Sequence, residues 1–481
     1  MGEENSVERA DPFLLFEDAY GDDAATKRDL AHSKRFLERY TGDRSFAESV
    51  RSGVLSLDEA AKMCGCQIDV SSLRPVFDEA VASERTTATE DNWRLTWLWD
   101  RHMAVKLKAR NALLMAADSH GKTPNFDAWR ARNINRASLQ LGISASGITH
   151  PPVTFELSDG CSVGCWFCGI SADKFKGHAE FGDGEEWRTT VRSVQGVLGK
   201  GMRCGFCYWA TDPLDNPDYA RYMEIFYEEV GTLPQTTSAI PLRNIELTRE
   251  VLRKRLELGG VVDRFSILTT RKLIEVHEAF TPEDLMAVEL VLQMNNIDST
   301  AKFKSGRAYR EGKGKEIASK YNSTEGTIAC VTGFLINIVT KTVKLISPTM
   351  PSEKWPDGYI IYDERTYETA EHLHQVLRDI VDHNMRPSID PETPLKLIEG
   401  GVFEDSHTLA VNTMVLRNDD FRFFEKQLTE GTHTALDIVR TASSHGVPPT
   451  QTVTALDRFW REGIISDRTF APPPSSHEIA A

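Results

Sequence analysis

The residues best suited to do chemistry are three cysteines in the segment SDGCSVGCWFCGIS, namely Cys161, Cys165 and Cys168. The chain has only eight cysteines in 481 residues, so three of them within eight positions form a marked concentration. The N-terminus lacks the features of a secretory signal, and clustered thiols in a reducing compartment are typical of metal ligands or redox groups rather than disulfides. The spacing therefore predicts a metal centre.

Two kinds of metal centre fit three clustered cysteines. Structural zinc takes four ligands, usually as two distant pairs, and after Cys168 no cysteine or histidine follows until His178. Three thiolates on one short loop suit three irons of a cubane cluster and leave the fourth iron open. An open metal position is typical of a reactive site. The loop thus favours an iron–sulfur centre, with structural zinc as the alternative.

The segment CSVGCWFC resembles the signature loop CX3CXΦC of the radical S-adenosylmethionine (SAM) superfamily, with Phe167 as the aromatic Φ. This resemblance implies one [4Fe–4S] cluster on Cys161, Cys165 and Cys168, with SAM chelating the open iron. It also implies reductive cleavage of SAM to methionine and a 5′-deoxyadenosyl radical, which abstracts a hydrogen atom.

A second segment, ATDPLDNPDY, lies where family members carry a Gly-Gly-Glu-Pro contact to the amino group of SAM. Ala210 and Thr211 replace the glycines, Asp212 corresponds to the acid, and the proline is retained. A carboxylate or a backbone carbonyl would suit a SAM ammonium, and the lost glycines leave open which of them makes the contact. Alternatively, Asp212 is an ordinary loop acid or helix-start residue. Ser266 and Thr269 are candidates for the ribose and adenine contacts.

Three further segments, YWATDPLDNPDY, TIACVTGFLINIV and WPDGYIIYDERTY, resemble the proteusin-type radical SAM epimerases of ribosomal peptides, over roughly residues 150–385. The resemblance implies that a Cα hydrogen is removed from L-residues and that a cysteine thiol returns a hydrogen to the opposite face. By resemblance Cys330 is that donor; a buried free cysteine in a strand is the alternative. The implied partners are a precursor peptide with a leader and an electron donor such as a flavodoxin or ferredoxin.

The residues leave alternatives open for the other cysteines and for the function. The Cys64–Cys66 and Cys204–Cys207 pairs could hold an auxiliary cluster if they met in space, or they are core cysteines. The alternative functions are another radical SAM peptide modification, such as cross-linking or methylation, and a non-catalytic metal-bound peptide-recognition protein. A formal net charge of −15 argues against a nucleic-acid partner. No run of about 18 apolar residues exists, so we expect no membrane span and a cytoplasmic protein.

The elements that must position these residues follow from the apolar pattern. The pattern predicts a helical domain over residues 1–149 and an α/β region, in which strands and helices alternate, over residues 150–385. We expect a partial (β/α)6 TIM-like barrel there, with the site at the carboxyl ends of its strands. Predicted strands include Val153–Leu157 and the segments GFCYWAT, TTSAI and RFSILTT, and a helix is predicted to start with Asn216 as its N-cap.

The remaining predictions concern the second half of the chain. A hairpin that carries Cys330 is expected to turn near Thr340 and Lys341. We expect residues 386–468 to form a helical, winged-helix-like region and residues 469–481 to form a disordered tail. The stretch 297–325 has seven Lys or Arg against four Asp or Glu. It is either a solvated loop or a cradle for an acidic peptide.

Overall fold

Helices make up most of the described chain before residue 150, as its apolar periodicity predicts. The computed structural model describes residues 13, 19–21, 23–294, 302–310, 323–398 and 426–466. Capping side chains start several helices; Asp23, for example, accepts hydrogen bonds from two backbone N–H groups of the first turn. The α-helices here are α1 (Ala24–Gly42), α2 (Arg44–Arg51), α3 (Leu57–Met63), α4 (Arg74–Phe77), α5 (Arg94–Ala116) and α6 (Pro124–Leu141).

Helices and strands alternate through much of the rest of the chain, so the mixed α/β class is confirmed. The further helices are α7 (Glu185–Leu198), α8 (Tyr219–Val230), α9 (Ile245–Leu258), α10 (Thr270–Ala279), α11 (Arg307–Arg310), α12 (Ala370–Asn384), α13 (Ala435–Ser444) and α14 (Pro449–Arg461). Short 3-10 helices cover Val70–Leu73, Glu79–Thr87, Gly142–Gly147, Gly199–Cys204 and Pro213–Asp215. Among the described residues, none of the helices combines the length and apolar character needed to cross a bilayer.

The strands are short, and most belong to two small sheets. They are β1 (Val153–Glu156), β2 (Ser158–Asp159), β3 (Gly177–His178), β4 (Thr237–Ser238), β5 (Asp263–Ile267), β6 (Val288–Leu292), β7 (Lys302–Phe303), β8 (Ser323–Thr324), β9 (Gly333–Asn337), β10 (Thr342–Pro348), β11 (Tyr359–Thr366), β12 (Lys396–Leu397) and β13 (Ile465–Ser466). One sheet has the order β1-β9-β10-β11 and the other β4-β5-β6.

Parallel pairing connects the two main sheets into one row. β1 pairs in parallel with β9, and β4, β5 and β6 are parallel to one another. Single parallel bridges from Thr154 to Phe206 and from Phe206 to Gln235 join the two groups. The pairings found among the described strands do not close this row into a ring. The partial barrel therefore stays a prediction.

The two faces of the row have different neighbours. Val153 and Phe155 of β1 are fully buried in a cluster with side chains of α7, α8 and α12. Each such side chain contributes about 1.5–3 kcal/mol by leaving water. Residues that pair in register on adjacent strands point to the same face of a sheet. The pairings therefore identify the side chains on the opposite face of the row, which we call the inner face. It carries Leu335, Thr154, Phe206, Gln235, Arg264 and Glu289.

Two local predictions were wrong. The segment GFCYWAT forms no strand, because its backbone bonds to side chains of β1 in place of a ladder: Thr154 Oγ1 donates to Tyr208 O, and Ala210 N donates to Glu156 Oε1 at 2.8 Å. Helix α8 begins at Tyr219 rather than after an Asn216 cap. Asn216 is fully buried, and its Nδ2 instead donates to the carbonyls of Leu157 and Ala179.

The hairpin and its turn are confirmed, but Cys330 is not part of it, because the first strand of the hairpin starts at Gly333 and the segment 327–332 before it has no strand pairing. β9 and β10 pair antiparallel, and Lys341 at the turn has a φ of 54°. Toward the C-terminus, α13 and α14 pack with the small β12–β13 sheet. The predicted tail 469–481 lies outside the described residues, as do 295–301, 311–322 and 399–425. The predicted domain boundaries stay predictions.

Candidate functional site

The loop that carries Cys161, Cys165 and Cys168 lies between β2 and β3, beyond the carboxyl end of β1. Its base is closed by Cys161 N, which donates to Asp173 O at 2.9 Å. Gly160 precedes it with a φ of +79°, and a Cβ there would lie 2.3 Å from Lys174 O. Only glycine fits this position without a backbone shift.

The three thiols are half-buried and lie close enough to one another to interact electrostatically. Burial raises the pKa of Cys161 to about 12 and that of Cys165 to about 11. Negative charge on Asp212 and Asp215 also raises the pKa of Cys161, and Cys168 raises that of Cys165. A metal would have to displace these protons, since the thiolate is the ligand.

The donor set of the loop is compatible with the predicted iron–sulfur cluster. Within the described ranges, no group of three or more His, Cys, Asp or Glu side chains is arranged to hold one metal ion. In a cubane each cysteine binds a different iron, so its thiolates stand further apart than the ligands of one ion. Three soft thiolates on one loop match the predicted [4Fe–4S] group, and Cys161, Cys165 and Cys168 would hold it.

A segment distant in the sequence, residues 302–310, contacts this loop, and we call it the strap. Arg307 N donates to Cys168 O at 2.8 Å, and its guanidinium donates to the carbonyls of Cys165 and Ala172. Gly306, with a φ of +58°, approaches so closely that a Cβ would lie 2.4 Å from Cys168 O. The described part of the basic stretch, 302–310, therefore contacts the cysteine loop.

Phe167, the aromatic residue of the loop, also contacts this strap. The Lys302 ammonium lies 5.2 Å from the centre of the Phe167 ring, within cation–π range, and Trp166 packs edge-on against the same ring at 5.3 Å. These contacts orient the ring in the structure; whether it also contacts SAM stays a prediction.

An ion pair holds the other side of the loop. Asp215 accepts hydrogen bonds from the backbone N–H and the hydroxyl of Ser162, the neighbour of Cys161. Arg243 donates to both Asp215 Oδ1 and Ser162 Oγ at 2.6 Å. The Asp215 side chain is only 1% exposed, so its carboxylate is held by these protein donors rather than by water.

Replacing Asp215 by Ala is expected to lower the free energy of unfolding by roughly 1–3 kcal/mol, because a buried charged acceptor is lost and its donors stay unpaired. Urea denaturation followed by circular dichroism measures this. The control is Asp173→Ala beside the same loop, where the carboxylate is 78% exposed and makes only a 3.8 Å ion pair to Lys176. That change should stay within about 0.5 kcal/mol. Equal effects of the two substitutions would contradict a structural role for Asp215.

Asp212 is anchored close to the cysteines. It is buried, its Oδ1 accepts from Leu214 N at 3.1 Å, and its Oδ2 accepts from Ala239 N at 2.7 Å, just after β4. Burial raises its pKa to about 6. Asp212 thus caps the 3-10 helix Pro213–Asp215, which agrees with the alternative that it is a helix-start residue. The two hydrogen bonds from backbone N–H groups hold its carboxylate in one orientation.

The other predicted SAM contacts differ in their surroundings. Thr211 is buried, and its Oγ1 has no hydrogen-bond partner within the described part of the chain, so it could accept a ligand donor. Ala210 uses its N–H for Glu156. Ser266 lies half-buried two residues after Arg264 in β5, hence on the inner face. Thr269 is exposed and caps α10 by accepting from Lys272 N at 3.1 Å.

Cys330 and Cys168 pack against the same apolar cluster. This cluster, which we call the inner cluster, is formed by Ile170, Phe206, Trp209, Ala329, Val331, Leu335 and Ile346, with Cys168, Tyr208, Ala210, Cys330, Tyr359 and Ile361 packed around it. The segment 327–332 runs from the cysteine loop, where Ile328 contacts Gly169, to the base of β1, where Thr332 N donates to Pro151 O. Burial raises the pKa of Cys330 to about 11, so its thiol is protonated at neutral pH.

The remaining cysteines do not come together. Cys64 and Cys66 are buried in a cluster of the N-terminal helices. Cys207 is fully buried in the main core beside β1, and Cys204 lines a cavity. The two pairs lie in separate parts of the protein, so the structure favours core cysteines over an auxiliary cluster.

A cavity of about 410 Å³ adjoins Cys330. Its lining includes four basic side chains, Lys106, Arg110, Arg203 and Arg264, together with Tyr208, Gln235 and Glu289. Sequence reasoning missed these residues. The available signal was a charged residue inside an apolar strand, as in DRFSI and VELVL, where alternation puts Arg264 and Glu289 on the face opposite the core.

Comparison with known proteins shows a relative that matches most of the chain. A curated protein of Sinorhizobium fredii, described as "Uncharacterized protein y4wI", is 36% identical over 453 residues, which is 92% of this chain and 88% of the relative. An alignment of that extent spans both the cysteine loop and Cys330. No family model matches the chain, and no solved structure matches it.

Proposed function

We propose that this chain, which belongs to the same family as the y4wI protein of Sinorhizobium fredii, is a radical SAM peptide epimerase. Its substrate would be a ribosomally made precursor peptide, in which selected L-residues become D-residues. The observation that carries the proposal is the shared packing of Cys168 and Cys330 on the inner cluster. A loop suited to a reactive cluster and a protonated thiol thus pack against the same apolar cluster.

The cofactor chemistry comes from the groups that the loop would hold. When bound to Cys161, Cys165 and Cys168, a [4Fe–4S] cluster and SAM supply a 5′-deoxyadenosyl radical able to abstract a hydrogen atom. The chain's own part is positional: Arg307 and Asp215 hold the loop from two sides. The anchored carboxylate of Asp212, and the hydroxyl of Thr211, are the groups we propose for the SAM ammonium.

Cys330 would complete the reaction. A substrate radical at Cα is near-planar, and a hydrogen atom delivered to the opposite face inverts the centre. In this step the S–H bond of Cys330 breaks and a Cα–H bond forms, which leaves a thiyl radical on Cys330. One electron from an electron donor such as a flavodoxin or ferredoxin, together with one proton from solvent, restores the thiol. The raised pKa keeps Cys330 in the S–H form that this step needs.

The fold and cellular setting follow the same proposal. The parallel row from β9 through β1 to β6 supports a partial (β/α)6 barrel that stays open, with the cysteine loop beyond the carboxyl end of β1. Eight free thiols suit a reducing compartment such as the cytoplasm.

Anaerobic reconstitution followed by chiral analysis tests the proposed function. The full-length protein is loaded with iron and sulfide, reduced with dithionite, and incubated with SAM and a precursor peptide encoded beside its gene. We expect a brown protein, 5′-deoxyadenosine, and D-residues after acid hydrolysis of the peptide. A colourless zinc protein that leaves SAM intact would favour the non-catalytic alternative. A cross-linked or methylated peptide without D-residues would favour another radical SAM modification.

A further inference from the structure

The cavity beside Cys330 is built from two walls. One is the inner face, where Arg264 of β5 and Glu289 of β6 stand side by side in register. The other is α5, whose residues Lys106, Ala109, Arg110 and Leu113 recur at helical spacing and so share one side of the helix. At about 410 Å³ the cavity falls within the size range of sites that hold small ligands or a few residues of a peptide.

The charge of this lining is opposite to that of the protein. Among the described residues that line it, four basic side chains meet one acid, Glu289, although the whole chain carries a net charge of −15. Glu289 lies 3.4 Å from the Lys106 ammonium and 3.6 Å from the Arg264 guanidinium, so its one charge is shared by two cations. Arg203 stacks on the Phe13 ring at 4.4 Å. Arg110 makes no ion pair with any described residue.

Local positive charge in a concave site attracts anions, and low-dielectric walls concentrate the effect. Arginine is the side chain best matched to carboxylates, because its planar fork can donate two parallel hydrogen bonds. We propose that this cavity binds a carboxylate of the peptide substrate and so brings a neighbouring residue to Cys330. This inference rests on the proposed function for the identity of the ligand as a peptide. The carboxylate comes either from an Asp or Glu side chain or from the C-terminus.

Calorimetric titration of the full-length protein, as purified and without SAM or reductant, tests the inference. The first probe is Ac-Gly-Val-Glu-Val-Gly amide. The second is the same peptide with Gln in place of Glu and with a free C-terminus. The third is that Gln peptide as its amide, which serves as the neutral reference. We expect one of the two carboxylate peptides to bind at least about tenfold more tightly than the reference, the gain typical of a charged hydrogen bond. Which of them gains identifies the source of the carboxylate.

Two substitutions in the cavity and one outside it give the comparison. Arg110→Gln and Arg264→Gln should each reduce the preference for the carboxylate peptide about tenfold. Arg253→Gln, on the exposed surface of α9, removes the same charge away from the cavity and should leave binding unchanged. A loss with the cavity variants alone would support the inference.

Three outcomes would overturn it: equal binding of the charged and neutral peptides, equal effects of all three substitutions, or glutarate binding as tightly as the peptides. The last result would assign the cavity to a small dicarboxylate. Because no radical chemistry occurs without reductant, failure here leaves the proposed function untouched. Failure of epimerisation with intact peptide binding would refute only the proposed function.

Discussion

Replacing Cys330 by Ala is expected to reduce D-residue formation to the level of a control without enzyme, while 5′-deoxyadenosine is still formed. The reason is that hydrogen abstraction needs only the cysteine loop and SAM, whereas the return of hydrogen needs a weak S–H bond at the inner cluster. Chiral amino-acid analysis of the peptide and chromatography of 5′-deoxyadenosine measure the two steps separately.

The conservative variant Cys330→Ser sharpens this test. It preserves the size of the side chain, but its O–H bond is too strong to give a hydrogen atom to a Cα radical, so it should fail in the same way as Cys330→Ala. Cys204→Ala is the matched control, because Cys204 lines the same cavity and has no role in the mechanism. D-residues formed at wild-type rates by both Cys330 variants would show that another group is the donor.

The second large effect is expected at the cysteine loop. Cys168→Ala should lower the iron content from about four atoms per chain to near zero, since a cubane held by three thiolates loses a third of its protein ligands. SAM cleavage should disappear with the iron. Colorimetric iron analysis and the visible absorption of the reconstituted protein measure the loss.

The same iron analysis shows whether the other cysteines bind a second cluster. Cys204→Ala should keep about four irons per chain, because Cys64 and Cys66 pack in a different cluster from Cys207, and Cys204 lines the cavity. About eight irons in the wild-type protein would contradict that view and require a second cluster. A Cys168→Ala protein that still carries four irons and cleaves SAM would remove the loop from the mechanism.

Elements governed by local patterns could be predicted from the sequence. Strand β1 follows from its apolar residues, and the β9–β10 hairpin follows from β-branched runs around a turn at Lys341. The segment GFCYWAT has the composition of a strand but lacks its ladder, since Thr154 and Glu156 take up its backbone groups. Such bonds between distant residues leave no periodic signal in a sequence.

The same limit applies to the candidate site. Spacing identified Cys161, Cys165 and Cys168, and resemblance pointed to Cys330 and Asp212. The strap from Arg307, the Asp215 anchor and the basic cavity depend on contacts between residues far apart in the chain. Tertiary packing brings these groups to the loop and to Cys330, and of them only Arg264 and Glu289, charged residues inside apolar strands, left a signal in the sequence.

Solvent-deuterium incorporation tests the central claim most directly. With reconstituted enzyme, SAM, reductant and precursor in D2O, the exchanged Cys330 thiol should deliver one deuterium to Cα of each epimerised residue. Tandem mass spectrometry should then show a gain of about one mass unit at every D-residue, since the new hydrogen comes from a thiol that exchanges with solvent. D-residues without added mass would contradict a thiol donor, and a modified peptide that loses hydrogen and gains no deuterium would contradict epimerisation itself.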